Sequence, residues 1–167
     1  PLAVILFTSF TKNVTPKMAG ITYWAIVSLI GASMGVLVLR YTGASIASTL
    51  LLTATAFGAL SLVGYTTKKN LTGMGSFLIM GLWGLIGAML INMFLQNSMM
   101  SLLINVIGLM IFAGLTAYDT QRLKMTYYEL GGNQSAMSVA TNFGALSLYL
   151  DFINMFQFLL ALLGNRR

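Results

Sequence analysis

Long apolar stretches, separated by short polar connections, are the dominant pattern of this sequence. An α-helix needs about 20 apolar residues to cross a bilayer. Four stretches reach that length with at most one charged residue each, and they cover residues 18–39, 41–67, 70–118 and 136–164. The stretch 70–118 is long enough for two helices, and the polar tripeptide at residues 96–98 divides it. The pattern therefore predicts five complete spans, with bounds near residues 18–40, 46–66, 74–95, 99–121 and 137–163.

The composition supports a membrane protein and no other class. The chain is 57% hydrophobic and 7% charged, with a mean hydropathy of +0.86, whereas about a quarter of the residues of a soluble domain are charged. No connection is long enough to hold a separate domain. We therefore predict an all-α integral membrane protein, a helical bundle that forms a single transmembrane domain over residues 1–167 with the lipid bilayer as its first partner.

The first ten residues are apolar but too short to cross a membrane. They lack the basic segment and the small-residue cleavage site of a signal peptide. We interpret residues 1–10 as the end of a helix, which predicts that the native protein has a further N-terminal segment. After them, Thr15 and Pro16 have the residue types of an N-cap and a first helical position, so the first complete helix is expected to begin there.

The basic residues indicate the orientation of the chain. They are spread over the connections and form no cluster on one helix face, so nucleic acid is not a predicted partner. Connections rich in Lys and Arg remain in the cytoplasm. Six basic residues lie in the first, third and fifth connections, against three on the alternate side: Lys12, Lys17, Lys68, Lys69, Arg122 and Lys124, against Arg40, Arg166 and Arg167. This bias predicts that the basic connections are cytoplasmic and that the C-terminus is outside.

Small residues four positions apart recur on several predicted helices. In a membrane such residues allow two helix backbones to approach closely. The interpretation that we favour is close packing within the bundle, and a face for a second copy is the alternative. The pairs are Gly31 with Gly35, Ala54 with Gly58, and Gly84 with Ala88.

The amino acids that are missing exclude several kinds of chemistry. The chain has no Cys and no His, so disulfides, thiolate nucleophiles, sulfur-ligated metals and imidazole bases cannot contribute. Histidine is also the usual switch near neutral pH. Any response to pH must therefore come from carboxylates, and no cofactor is predicted.

Two of the three acidic residues, Asp119 and Asp151, lie within apolar segments. An ionised Asp at the centre of a membrane helix costs about 3 kcal/mol on insertion scales, so a chain that keeps one there generally uses it. Helical spacing places each aspartate on a face with small, polar and aromatic residues. Asp119 shares its face with Gly108, Phe112 and Thr116, and Asp151 shares its face with Gly144, Leu148, Asn154 and Phe158, with Ser147 one turn away. Such faces are typical of helices that face protein or water instead of lipid.

The two helices are consecutive in the chain, so they can pack as an antiparallel pair that brings the carboxyl groups together. Burial and like-charge repulsion then favour one proton shared between Asp119 and Asp151. The same oxygen atoms are hard ligands of the kind that Ca²⁺ prefers, so the pair is also a transient metal site. Structural alternatives remain for each residue: Asp119 paired with Arg122 at i,i+3, and Asp151 bonded to Asn154 or to a Tyr hydroxyl.

Several segments of the sequence resemble the Bax inhibitor-1 family, in its bacterial inner-membrane branch. They are Ala-Tyr-Asp-Thr-Gln at residues 117–121, Ala-Leu-Ser-Leu-Tyr-Leu-Asp-Phe-Ile-Asn at 145–154, Ser-Leu-Val-Gly-Tyr-Thr-Thr-Lys-Lys at 61–69 and Leu-Gly-Asn-Arg-Arg at 163–167. The resemblance covers the whole chain. It implies a seven-helix fold with a central last helix, of which this chain lacks the first helix and most of the second, located in the bacterial cytoplasmic (inner) membrane.

The resemblance also implies a function. It predicts a pH-sensitive calcium leak, with Asp119 and Asp151 as the pH-sensing pair on the ion path and with calcium ions and protons as partners. We expect nearby polar residues to support the pair: Thr116, Tyr118, Arg122, Ser147, Tyr149 and Asn154. A second hypothesis is a protein that transports nothing and instead binds and modulates a membrane protease or another membrane complex.

A third hypothesis is an intramembrane aspartyl protease, because Tyr118 and Asp119 resemble the first catalytic motif of presenilin-like enzymes and a carboxylate pair is suitable chemistry. The second motif of that class is Gly-x-Gly-Asp, whereas Leu148, Tyr149 and Leu150 precede Asp151 here. The Pro-Ala-Leu element of that class is absent as well. We therefore predict that the protein is not an enzyme.

Overall fold

A computed structural model describes residues 15–164, and in that part of the chain all regular structure is helical. The interpretation of residues 1–10 as a helix end falls outside the described residues, as do Lys12, Arg166 and Arg167. The helices are α1 (Pro16–Ser33), α2 (Gly35–Arg40), α3 (Gly43–Thr66), α4 (Thr72–Leu95), α5 (Ser98–Glu129) and α6 (Gln134–Leu163).

Five helical segments are long and apolar enough to cross a membrane. The first is formed by α1 and α2 together, Pro16–Arg40, and the others are α3, α4, α5 and α6. The predictions of an all-helical chain and of five spans within the described residues are confirmed. The first span is interrupted at Met34, where the bond from Leu37 N to Met34 O replaces the regular pattern over one turn.

Side-chain caps begin several of these helices at the polar positions of the sequence. Thr15 Oγ1 accepts a hydrogen bond from Met18 N at 3.2 Å, and Pro16 follows at the first helical position, as predicted. Thr42 Oγ1 caps α3 in the same way, at 3.2 Å from Ser45 N. Asn97 Oδ1 caps α5. Each cap satisfies an amide that the first turn of a helix leaves without a partner.

The predicted end of the fourth span, at residue 121, is wrong, because α5 continues to Glu129. Residues 122–129 are mostly good helix formers, and the first Gly after them is Gly131. Charged residues mark where a chain leaves the apolar layer, but they do not end a helix. The connection to α6 is therefore short, residues 130–133, and two turns of α5 follow Arg122.

The last helix, α6, packs against α1, α3 and α5, while α4 packs against α5. The α5–α6 pair is the most extensive contact in the described bundle. Its apolar centre contains Phe112, Leu115, Met155 and Phe158, all buried. Because α5 and α6 are joined by a short connection, they run antiparallel, and residues near the end of α5 lie beside residues in the first half of α6.

Glycine does allow close packing in this bundle, but not at the predicted positions. The α3 helix approaches α5 where Gly64 lies against the main chain of Ala117. The ring of Tyr118 lies over Gly75, and the ring of Phe158 lies over Gly108. At the glycines of the predicted pairs, no described atom outside their own helix backbone lies within 4 Å of the Cβ position: Gly31, Gly35, Gly58 and Gly84. The prediction of close packing within the bundle therefore finds no support at these four glycines among the described residues, whereas Ala88, the partner of Gly84, packs against the apolar core.

Candidate functional site

The faces predicted to carry the two aspartates meet between α5 and α6. At the centre of the contact, the rings of Phe112 and Phe158 stack with centroids 5.9 Å apart. One turn further along α5, the hydroxyl of the buried Thr116 donates to Phe112 O at 2.8 Å and lies 3.4 Å from Met155 Sδ. The next turn of α5 brings Asp119 to Asp151. The antiparallel pairing thus places the two carboxyl groups together, as the sequence predicts.

Asp151 is buried, with 4% of its surface exposed. Its Oδ2 atom has no hydrogen-bond partner among the described residues. The Asp119 side chain lies within hydrogen-bonding range of the Asp151 carboxyl group. Two ionised carboxylates have acceptors only, so this contact becomes a hydrogen bond when the pair holds a proton. A buried acceptor without a partner costs about 1–3 kcal/mol, so the Asp151 carboxyl group is not explained as a satisfied structural residue.

Asp119 is closer to the surface of the bundle and has a second neighbour. Its Oδ1 lies 3.8 Å from Arg122 Nη2, the predicted i,i+3 pair, with side-chain exposures of 12% for Asp119 and 52% for Arg122. The guanidinium also lies 5.7 Å from the centre of the Tyr118 ring, and its charge acts on Asp151 as well. Since the contact is long and Arg122 is exposed, this ion pair stabilises the fold only slightly.

A cavity of about 190 Å³ adjoins Asp119 between α5 and α6. Its polar lining includes Asp119, Arg122 and Ser147, so the carboxylate pair has a polar approach from the end of the bundle where the basic connections lie. Leu123 and Gly144 also line this cavity. The cavity is large enough to hold water. Its polar side chains supply the hydrogen-bonding partners that a water molecule in a cavity needs.

The other predicted supporting residues are more widely distributed. Thr116 lies in the α5–α6 contact, one turn from Asp119. Asn154 Nδ2 donates to Leu150 O of its own helix at 2.7 Å, and Asp151 Oδ2 has no hydrogen-bond partner among the described residues. The alternative in which Asn154 satisfies Asp151 therefore finds no support. Tyr118 turns toward Gly75 of α4, and Tyr149 packs in the cluster that includes Ile26 and Leu146. The structure therefore brings together Asp119, Asp151, Arg122, Ser147 and Thr116.

Comparison with known proteins identifies the family. The family model described as Bax1-I, Inhibitor of apoptosis-promoting Bax1, matches residues 1–167. The chain belongs to the Bax inhibitor-1 family. The predicted resemblance is confirmed over the whole chain, and the protein is a multi-pass membrane protein.

Several bacterial Bax inhibitor-1 relatives are similar over almost the whole chain. An uncharacterized protein of Caulobacter vibrioides is 61% identical over 168 residues, which cover 100% of this chain and 67% of the relative. The uncharacterized protein RP147 of Rickettsia prowazekii is 45% identical, covering 99% of this chain and 70% of its own length. The inner membrane protein YbhL of Escherichia coli is 39% identical, covering 98% and 70%. The chain is thus shorter than these relatives.

Two residues near the pair have roles that the sequence did not indicate. Gln121 bridges α5 to the basic connection between α3 and α4: its Nε2 donates to Lys69 O at 2.7 Å, and its Oε1 accepts from Leu71 N at 2.8 Å. Lys124 Nζ donates to Tyr65 O at 2.7 Å in the last turn of α3. Both are polar residues beside an acidic motif at the end of an apolar segment. That signal marks a membrane boundary without showing which backbone groups the side chains reach.

Proposed function

We propose that this Bax inhibitor-1 protein is a pH-sensitive calcium leak of the bacterial inner membrane, gated by the Asp119–Asp151 pair. The observation that supports the proposal is the buried Asp151 Oδ2 atom, which no described residue contacts by a hydrogen bond, in a carboxyl group that faces Asp119. A purely structural aspartate would have its acceptors satisfied. The name of the relative YbhL, an inner membrane protein, supports the location.

In this mechanism, one proton on the pair joins α5 and α6 by a hydrogen bond between their carboxyl groups. Loss of that proton leaves two anions side by side in a site of low dielectric, where they repel each other. The repulsion weakens the α5–α6 contact at this level and frees carboxylate oxygens. Proton loss therefore changes the packing of α6 and, with it, the opening of the ion path beside this helix.

The same oxygens give the path its preference for a hard cation. Ca²⁺ takes 6–8 oxygen ligands, and two carboxylates supply only part of that number. In the described part of the chain, no three of His, Cys, Asp and Glu gather in one place. The pair therefore suits a passing ion that keeps most of its water, and Ser147 in the adjoining cavity offers a further oxygen. Protons and Ca²⁺ compete for the pair, so Ca²⁺ binding strengthens as the pH rises.

The test is Ca²⁺ flux into proteoliposomes of the purified protein across the neutral pH range. We expect wild type to show a flux that changes with pH, and Asp151→Asn and Asp119→Asn to remove the change, because an amide cannot release the shared proton. Glu129→Gln is the matched control, since Glu129 is the third acidic residue and lies exposed at the end of α5. Flux that equals empty vesicles at every pH, or an unaltered profile in both Asp variants, would overturn the leak.

A second candidate function is the binding of a membrane protease or another membrane complex, without transport. The observation that favours it is the set of glycines on α1, α2, α3 and α4 that no described residue covers, since such faces allow close helix contact. We expect a specific complex to co-purify with wild type and with Asp151→Asn, and to be lost in Gly58→Leu. Loss in Asp151→Asn and retention in Gly58→Leu would instead point to the carboxylate pair.

A further inference from the structure

A cavity of about 340 Å³ lies on the other side of Leu123 from the aspartate pair. It is formed by the last turn of α3, the final turns of α5 and the first turns of α6. Leu123 and Ala140 line both this cavity and the one beside Asp119, so they separate the two. The volume is at the lower end of the range for ligand sites, about 300–1,000 Å³.

The cavity lies at a membrane boundary. Tyr65, in its wall, is in the last turn of α3 and is followed by the basic connection with Lys68 and Lys69. Tyr127 and Tyr128 also line it and are 61% and 65% exposed. Tyrosine rings are enriched at the level of lipid headgroups, and basic connections mark the cytoplasmic side. The cavity therefore opens toward the headgroups of the cytoplasmic leaflet.

The charge of the lining selects an anion. Among the described residues, Lys124 is the one cation of the lining, and no Asp or Glu of that part of the chain lines the cavity. An ammonium group has three protons to donate. One is directed to Tyr65 O at 2.7 Å, and the group lies 4.7 Å from the centre of the Tyr65 ring. No described residue accepts from the remaining donors of Lys124, so they are available to a ligand, and the Thr141 hydroxyl lies in the same wall.

Most of the remaining lining is apolar, with Leu123, Leu130 and Met137 among its residues. A free inorganic anion gains nothing from such a surface, whereas a lipid presents a phosphate and an acyl chain together. We propose that this cavity binds an anionic phospholipid of the cytoplasmic leaflet, with the headgroup phosphate at Lys124 and the start of an acyl chain against the apolar wall. This site is independent of the aspartate pair and of the leak.

The test is native mass spectrometry of the intact protein in detergent with added phosphatidylglycerol or phosphatidylcholine. We expect wild type to retain phosphatidylglycerol in preference to phosphatidylcholine. Lys124→Gln should weaken phosphatidylglycerol binding about fivefold, the effect of one Lys near an anionic lipid surface. Lys124→Arg should retain it, because the positive charge remains. Thr141→Phe should reduce binding without changing any charge, because the larger side chain occupies the cavity.

Lys17→Gln is the matched control, since Lys17 is a basic residue of α1 that does not line the cavity. Circular dichroism of each variant shows whether the helices remain folded. Equal binding of the two lipids would overturn the proposed lipid site. An equal loss of phosphatidylglycerol binding in Lys17→Gln and Lys124→Gln would also overturn it and would indicate non-specific electrostatic attraction between the lipid and the protein. Full retention in Thr141→Phe, or displacement of the lipid by inorganic phosphate alone, would also overturn it.

Discussion

Gly64 of α3 lies directly against the main chain of Ala117 in α5, two residues before Asp119. A Cβ atom at Gly64 would lie 2.9 Å from both the carbonyl carbon and the Cα of Ala117, and nearer still to the carbonyl oxygen. The contact is with backbone, which cannot turn away as a side-chain end can. The close approach of α3 and α5 at the level of the aspartate pair therefore requires a residue without a side chain at position 64.

We expect Gly64→Ala to lower the free energy of unfolding by about 1–3 kcal/mol, the usual cost of overpacking. Thermal unfolding in detergent, followed by circular dichroism, measures the change. Gly58→Ala is the matched control on the same helix, because no described atom outside the helix backbone lies within 4 Å of its Cβ position. That control should be neutral or slightly stabilising, since Ala is the better helix former. Equal stability of the two variants would contradict the close approach.

Gln121→Ala should loosen the connection between α3 and α4, because it removes both hydrogen bonds to residues 69 and 71. Each such bond contributes about 0.5–1.5 kcal/mol, and we expect a loss of about 1–2 kcal/mol for the pair at this solvent boundary. Hydrogen exchange should become faster at residues 67–71. Gln157→Ala is the control, since Gln157 is exposed and, within residues 15–164, its amide donates to Met34 Sδ alone, at 3.4 Å. Exchange that is equally slow in both variants would show that the bridge has no role in ordering this connection.

Asp151→Asn should stabilise the bundle most at alkaline pH. The Asn amide can donate to Asp119 at any pH, whereas the wild-type pair needs a shared proton for its hydrogen bond. In the proposed mechanism, the folded pair holds this proton and separated carboxyl groups in water release it, so we expect wild-type stability to fall as the pH rises. We expect the difference in unfolding free energy to be about 1–3 kcal/mol at alkaline pH and to shrink on acidification.

Thermal unfolding across pH, with Glu129→Gln as the control, measures this difference. The exposed Glu129 side chain has no part in the pair, so the control should follow the wild-type pH profile. A wild type whose stability does not respond to pH, or one that is more stable than Asp151→Asn at every pH, would show that no proton is shared between the two carboxyl groups.

The sequence was sufficient for the features that depend on composition and on local spacing. Twenty or so apolar residues must be helical in a bilayer because every backbone polar group has to be satisfied internally, and the described spans follow from that rule. The predicted cap at Thr15 is also local, since a side chain and the amide three residues on meet without tertiary help. The rarity of acids in apolar segments indicated Asp119 and Asp151, and the fact that their two helices are consecutive in the chain was enough to predict that they pair.

Only the tertiary structure decided which faces are covered. Gly64, Gly75 and Gly108 pack closely, while no described residue packs against Gly31 or Gly58. Close approach depends on where another helix passes and not on the spacing of small residues along one helix. Tyr118 and Tyr149 turn toward α4 and α1 for the same reason. The reach of Gln121 to Lys69 O joins residues far apart in the chain, and no local pattern encodes such a contact. In a membrane, where lipid is as apolar as a helix face, hydrophobicity identifies the helices but does not determine their neighbours.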